Sequence, residues 1–287
     1  MTTRLTYPPT HSNINEKSMY KLYKTGKEFL DENLNLIRSD TLGTIFFEGN
    51  ANAIEQCNEA NFAARIECGG EVLIAIRVDG FPLVIYGSES CVEELAEVVA
   101  ENGYRFEKAI GYYELIGKFL NRYEQIKGGS HRVNLSMDIM FCDKINPCDT
   151  SDVEQATAKD ADEIACLYAA FLTEALGENA TWGEKKAKIA QEIDLYALLR
   201  VDGKIVSIGV SKDSGNRLRR IANVYTKPEY RNKGYSRKVV TYLTEQAISG
   251  GDLACLHVDQ NNPVSNHLYQ KIGYKYGKSR YEMEYIK

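Results

Sequence analysis

A run of cations around one glycine, Arg231-Asn232-Lys233-Gly234-Tyr235-Ser236-Arg237, follows the apolar stretch Val224-Tyr225-Thr226 and the breaker Lys227-Pro228. This order predicts a strand that ends at proline, loops through glycine and opens directly into a helix. A helix start leaves backbone N–H groups without partners and carries partial positive charge, so phosphate oxygens find ready donors there. Gly234 lets the main chain approach an anion closely, and Ser236 is small enough not to block the turn. With Arg231, Lys233 and Arg237 adding cations, the chemistry suits a pyrophosphate. Further on, Asn262 is a good N-cap, Pro263 suits a first turn and Gly273 a helix exit. In that short helix Val264, Leu268 and Ile272 are expected to face the core, leaving Asn262, Ser265, Asn266 and Tyr269 on a polar side.

The elements that must position these residues fall into two halves. The apolar spacing predicts a loose terminus over the first dozen residues, then a helix from Glu16 to Ile37. A hairpin over Phe62–Ile66 and Val72–Val78, a strand Pro82–Tyr86, helices Cys91–Ala100 and Tyr112–Tyr123, and a strand Arg132–Cys142 follow. The polar link around Asn146 to Asp152 sets the expected boundary, with domains 1–148 and 149–287. Beyond it come a helix Asp160–Leu176, strands Leu195–Val201 and Ile205–Val210 joined by Asp202-Gly203, a strand Leu218–Thr226 and the helix Tyr235–Ile248. A buried strand Leu253–Val258, the helix 263–272 and a final strand pair complete the chain. Both halves run helix, hairpin, strand and helix in the same order, which implies a tandem duplication of an α/β (α+β) unit. At the matching junction of the first half the chain reads Tyr86-Gly87-Ser88-Glu89-Ser90-Cys91-Val92-Glu93-Glu94, with acids where the second half has bases. That copy is expected to repel a pyrophosphate.

A chain of 287 residues, 44% hydrophobic and 26% charged, has the material for two cores and excludes wholesale disorder. Net charge is −5, yet residues 218–287 hold 12 Lys/Arg against 6 Asp/Glu, so the basic excess sits with the phosphate loop. This fits a small polyphosphate ligand better than nucleic acid, which usually meets a strongly basic domain with interleaved aromatics. Seven cysteines form no CxxC pair and four histidines complete no zinc spacing, so no metal is expected. An odd cysteine count with no leader-like segment implies reduced thiols in a cytoplasmic protein, and no run is long enough for a membrane span.

The segment from about 150 to 287 resembles the GNAT (Gcn5-related N-acetyltransferase) superfamily. Arg231, Gly234 and Ser236 match its Arg/Gln-x-x-Gly-x-Gly/Ala motif, with serine in place of the last small residue. Asn262, Ser265, Tyr269 and Gly273-Tyr274 correspond to its second hallmark, in the right order. More narrowly, a first repeat without the motif followed by Val-Tyr-Thr-x-Pro-Glu-Tyr-Arg-x-Lys-Gly-Tyr resembles the two-domain, FR47-like branch. The resemblance implies tandem GNAT-like repeats, each a mixed central sheet flanked by helices, with acetyl-CoA as cosubstrate of the second. It also implies that backbone groups of Val224 and Thr226, with Tyr225 between them, meet the pantetheine arm. The N–H groups of Lys233 to Arg237 would hold the pyrophosphate, Arg231 and Lys233 would screen its charge, and Asn232, Asn262, Ser265 and Asn266 complete the expected contact set.

By the same resemblance Tyr269 is the expected general acid that protonates the CoA thiolate, and a neutral amine, of a small molecule or a peptide, attacks the thioester directly. A base is harder to place, because many relatives carry glutamate where this chain has Asn223. Water, Glu174, Glu282 or Glu284 are the alternatives. Trp182 lies where related folds shape an acceptor pocket, though a core anchor is an equal reading. Cys255, in an apolar strand without a paired histidine, is a poor nucleophile. A non-catalytic acyl-CoA-binding or sensing protein is the rival reading, motivated by Asn223. A nucleotide-binding module of another kind lacks its Walker or Gly-x-Gly-x-x-Gly fingerprint.

Overall fold

A computed structural model describes residues 19–177 and 179–287. The expected loose terminus, and Glu16 to Ser18 of the expected first helix, lie outside the described residues. The first half runs β1 (Met19–Leu22), α1 (Gly26–Ser39), α2 (Phe47–Asn52), β2 (Phe62–Cys68), β3 (Glu71–Arg77), β4 (Leu83–Gly87), α3 (Val92–Glu101), β5 (Lys108–Gly111), α4 (Tyr113–Lys127) and β6 (Ser130–Cys142). The second runs β7 (Val153–Gln155), α5 (Ala161–Leu176), α6 (Trp182–Gln191), β8 (Tyr196–Val201), β9 (Lys204–Asp213), β10 (Leu218–Thr226), α7 (Tyr235–Ser249), β11 (Leu253–Asp259), α8 (Pro263–Ile272) and β12 (Lys275–Ile286). Element for element, the two orders are the same.

The strands join in one 12-stranded mixed sheet, ordered β1-β2-β3-β4-β5-β12-β6-β11-β10-β9-β8-β7. This order reads as a palindrome about the β12–β6 pair, as a duplicated unit with a twofold relation requires. Only β4–β5 and β10–β11 are parallel; the other neighbours are antiparallel. The last strand of each half is exchanged, so that β6 pairs with β11 of the second half and β12 pairs with β5 of the first. The separate sheets expected for the two repeats are therefore fused. Met137 of β6 packs with α1 and α2, whereas Met140, three residues on, packs with α7 and α8. Strand alternation then places α1, α2, α5 and α6 on one face of the sheet, and α3, α4, α7 and α8 on the other.

Three expectations change. The first helix begins at Gly26, because Thr25 caps it by accepting the Glu28 N–H at 3.1 Å, and residues 19–22 pair instead with Ala64 to Glu67. The expected final strand pair is the single strand β12, whose register slips at Gly277 and again between Glu282 and Met283. β5, β7, α2 and α6 were not anticipated; the first three, of four, three and six residues, carry too little periodicity to read.

Candidate active site

β10 and β11 pair only from Leu218 to Arg220 with Leu253 to Cys255, after which they part. The divergence has a local cause. The register of β10 against β9 breaks between Ala222 and Tyr225, and Asn223 in this bulge has φ 52°, a left-handed conformation that asparagine tolerates better than most residues. β11 meanwhile stays paired with β6 as far as Asp259. A wedge-shaped gap opens between the two parallel strands.

Beyond the bulge the Lys227 N–H donates to Val206 O of β9 at 3.0 Å. Since main-chain groups alternate along a strand, those of Tyr225 serve the same ladder, and those of Val224 and Thr226 point into the gap. Their side chains alternate too. Val224 packs with the α7 and α8 cluster, while Tyr225 joins the α5 cluster on the other face, which separates it from its expected partners. The Asn223 amide donates to Tyr196 Oη at 2.9 Å, a partner that sequence reasoning did not find.

At the wide end of the gap lies the loop of residues 227–234. A 3₁₀ turn over Pro228–Tyr230 precedes two left-handed residues, Asn232 at φ 62° and Gly234 at φ 82°. Nothing lies within 4 Å of where a Gly234 Cβ would stand, so the backbone is bare on its outer side. Among the described residues none accepts a hydrogen bond from the N–H groups of residues 232–237. Such a concave run of donors at the start of α7 fits a phosphate group. Lys233 is exposed, with its ammonium 5.2 Å from the Tyr230 ring centre. Arg237 reaches Pro147 O at 3.4 Å and keeps a buried Nε without a partner, while Ser236 and Tyr235 are half-buried in the first turn.

Arg231 is not aimed at the cradle. Its Nε donates to Thr226 O at 3.0 Å, its Nη2 meets Glu174 of α5 at 2.7 Å, and its guanidinium lies 5.6 Å from the Tyr225 ring centre. The hydrogen bond from Arg231 holds the Glu174 carboxyl below its usual range. In this arrangement Arg231, the expected charge screen, ties the loop to the strand end and to α5, and Glu174, a candidate base, is ion-paired to it. Arg231→Met and Glu174→Gln are expected to weaken CoA binding by the same few-fold factor, as calorimetry would measure. An Arg231 that acted on phosphate instead would make Glu174→Gln tighten it.

α8 follows the end of β11. The Asn262 side chain accepts the Ser265 N–H at 3.0 Å, and Asn266 Nδ2 donates to Asp259 O and Asn262 O at 3.2 and 3.1 Å. Both asparagines are therefore occupied in shaping the helix start. The expected faces are rotated. Val264 is 76% exposed while Tyr269 is 8% exposed, because the row that meets the sheet runs through Ser265, Leu268, Tyr269 and Ile272, and Val264 lies in the first turn beyond the core. The Tyr269 ring meets Tyr274 edge-on at 6.0 Å, and its hydroxyl has no hydrogen-bond partner among the described residues. Burial pushes that hydroxyl up to about 12, so it holds its proton at neutral pH.

The remaining candidates lie elsewhere. Glu282 meets Asn134 and Lys108, and Glu284 meets Arg132, two strands away from β11 on the first-half side. Trp182 is 49% exposed at the start of α6, which overturns the core-anchor reading. Cys255 is buried and its thiol is pushed up to about 12 by desolvation. In the first half, β4 ends at Gly87 and a 3₁₀ turn begins at Glu89, so no loop comparable to 227–234 exists, and Glu89 pairs with Lys118. Among the described residues no group of three or more acidic, histidine or cysteine side chains could hold a metal.

The fold recurs in solved proteins over nearly the whole chain. A GNAT-family acetyltransferase from Colwellia psychrerythraea superposes with a TM-score of 0.60 at 13% identity, covering 94% of this chain and 100% of that one. A GCN5-related N-acetyltransferase from Sphaerobacter thermophilus gives 0.61 at 13% identity, covering 93% and 96%. A tandem GNAT protein from the clavulanic acid biosynthesis pathway gives 0.53 at 9%, covering 93% and 97%. At such identities the likeness is one of fold. No curated protein matches the chain. The sequence itself matches a family model, Acetyltransferase (GNAT) family, over residues 161–274, the stretch that holds the bulged strand, the anion loop and α8. The matched stretch lies within the second of two repeats that share one sheet, so it is this repeat that is similar to the acetyltransferase (GNAT) family.

Proposed function

We propose that the second repeat transfers the acetyl group of acetyl-CoA to a primary amine by direct attack. The observation that carries this reading is a single continuous feature, a gap between parallel strands with a bare, donor-rich loop at its wide end. The donors of residues 233–237, with Lys233 and Arg237 beside them, suit the pyrophosphate. The Val224 main chain and the Thr226 N–H suit the amide-bearing pantetheine arm, which brings the thioester to the bulge, while the Thr226 carbonyl is held by Arg231. The amine then approaches from the α5 face, where Asn223 and Tyr196 lie. Its nitrogen bonds to the carbonyl carbon as the C–S bond breaks, Tyr269 gives its proton to the leaving sulfur, and the proton shed by the amine passes to water. Asn223 cannot titrate, which favours acceptors whose amine is already neutral near the working pH.

Release of CoA thiol in the presence of acetyl-CoA and a panel of amines, polyamines, amino sugars and peptide N-termini tests the reading. A rate above hydrolysis with at least one class is expected. Saturable acetyl-CoA binding with no amine-dependent release would instead support the acyl-CoA-binding or sensing alternative, which the non-titrating Asn223 at the bulge favours. The seven free thiols suit a reducing, cytoplasmic setting. No helix among the described residues is long and apolar enough to cross a membrane.

A further inference from the structure

Three side chains able to carry positive charge meet on the α5 face, at the closed end of the gap. Arg220 of β10 is the register partner of Cys255; His257 lies two residues along β11 and is paired with Ile139; Arg280 of β12 is paired with Met137. Positions two apart on one strand, or directly paired across strands, share a face, so all three project the same way. The Phe46 ring, from the turn between α1 and α2, covers them. His257 stacks on it at 5.3 Å and 15°, and the Arg280 and Arg220 guanidinium carbons lie 5.5 and 5.9 Å from its centre.

These groups are short of partners. Arg280 is 1% exposed; its Nη2 donates to Gly43 O, but its Nε and Nη1 are buried with no acceptor, and so is His257 Nε2. Burial pulls Arg280 down to about 10 and lowers His257 well below its ordinary value, with Arg220 and Arg280 both adding to the latter effect. The nearest acids are already engaged. Asp40 pairs with Lys278 and accepts from Tyr86, and Glu192 pairs with Lys212 at 2.7 Å. Among the described residues no carboxylate forms an ion pair with Arg220 or Arg280, and an aromatic face compensates only part of what burial of the Arg280 guanidinium costs. Unpartnered donors buried beside a second guanidinium are the chemistry that suits an anion.

We propose that this cluster receives a carboxylate of the acceptor, so that the amine acetylated at the bulge belongs to the amino-acid class. The inference rests on the acetyl-transfer reading above and names its substrate. β10 and β11 part immediately beyond Arg220 and Cys255, so a molecule with its amine at the bulge beside Asn223 extends back toward Arg220. The half-buried Arg220 forms the mouth, and a planar carboxylate matches the guanidinium fork. His257 and Arg280 lie behind it. Polyamines are disfavoured, because they would bring more positive charge to the same place. The covering ring and Gly43 come from the first repeat, which thereby shapes the acceptor site without binding the cofactor.

The test pairs amines that differ by one carboxylate, histidine with histamine, tyrosine with tyramine and lysine with cadaverine. Thiol release and calorimetry in the presence of CoA are both read on the full chain. At least one carboxylated member should be preferred by about tenfold in kcat/KM, the gain of one charge-assisted hydrogen-bonded pair. Arg220→Gln should abolish the preference through KM with kcat little changed, and Arg220→Lys should restore part of it. Decarboxylated members used equally well, or a preference that survives Arg220→Gln, would overturn the proposal. If CoA binds but no amine is turned over, calorimetry still decides. Arg220-dependent binding of a carboxylated member sustains the receptor while the transfer reading falls, and no such binding removes the receptor too.

Discussion

Gly234→Asp is expected to weaken CoA binding by at least about 30-fold, while Gly234→Asn weakens it only a few-fold; the larger factor corresponds to about 2 kcal/mol, the upper range for a charge at a helix start. Both side chains tolerate left-handed backbone, so the φ of 82° strains neither severely. Nothing within 4 Å meets the new Cβ, so neither is expected to disturb the core. What separates them is charge. The aspartate stands where the N–H groups of the first turn of α7 converge, satisfies them itself and repels the pyrophosphate, whereas asparagine only adds bulk. Calorimetry of CoA against both variants, with melting temperatures as a control on folding, reads the difference. Equal weakening by the two would show that the loop acts through shape alone, and unchanged binding by both would remove it from the site.

The same loop shows what a sequence can disclose. A strand, a breaker, a glycine among cations and a helix are local signals, and each is present where the spacing put it. The wedge itself was not legible, since it depends on Asn223 adopting φ 52° and on β11 staying with β6 after it leaves β10. Side-chain commitments were also hidden. Arg231 looks like a free cation in the sequence, yet Glu174, 57 residues away, takes it, and only the packing of α5 across β10 brings the two together. The strand exchange lies furthest from local reading. β6 and β12 have ordinary alternating patterns, and nothing in either says that its partner belongs to the other repeat. For the same reason Phe46 and Arg280, 234 positions apart in the sequence, gave no sign of meeting.

Tyr269→Phe is expected to lower kcat by about 100-fold, at the lower end for loss of a general acid, and to leave acetyl-CoA affinity nearly intact. The substitution is clean for structural reasons. The hydroxyl has no hydrogen-bond partner among the described residues, so its removal orphans nothing, and phenylalanine keeps the ring that packs on Tyr274 and the α8 side of the sheet. Burial keeps the phenol protonated, and the thiolate's charge as it forms beside the hydroxyl is what draws the proton across. With its pKa raised to about 12, the phenol carries its proton throughout the working pH range. The sign follows for pH. A group that titrates only near 12 contributes no alkaline fall in rate between about pH 6 and 10, so the wild-type profile should rise with amine deprotonation and then level off, and the variant should follow the same curve at a lower height. A variant as fast as the wild type would place proton donation elsewhere, with water in the gap. A variant that loses affinity in step with rate would make Tyr269 part of the cofactor wall, a packing residue whose hydroxyl is incidental.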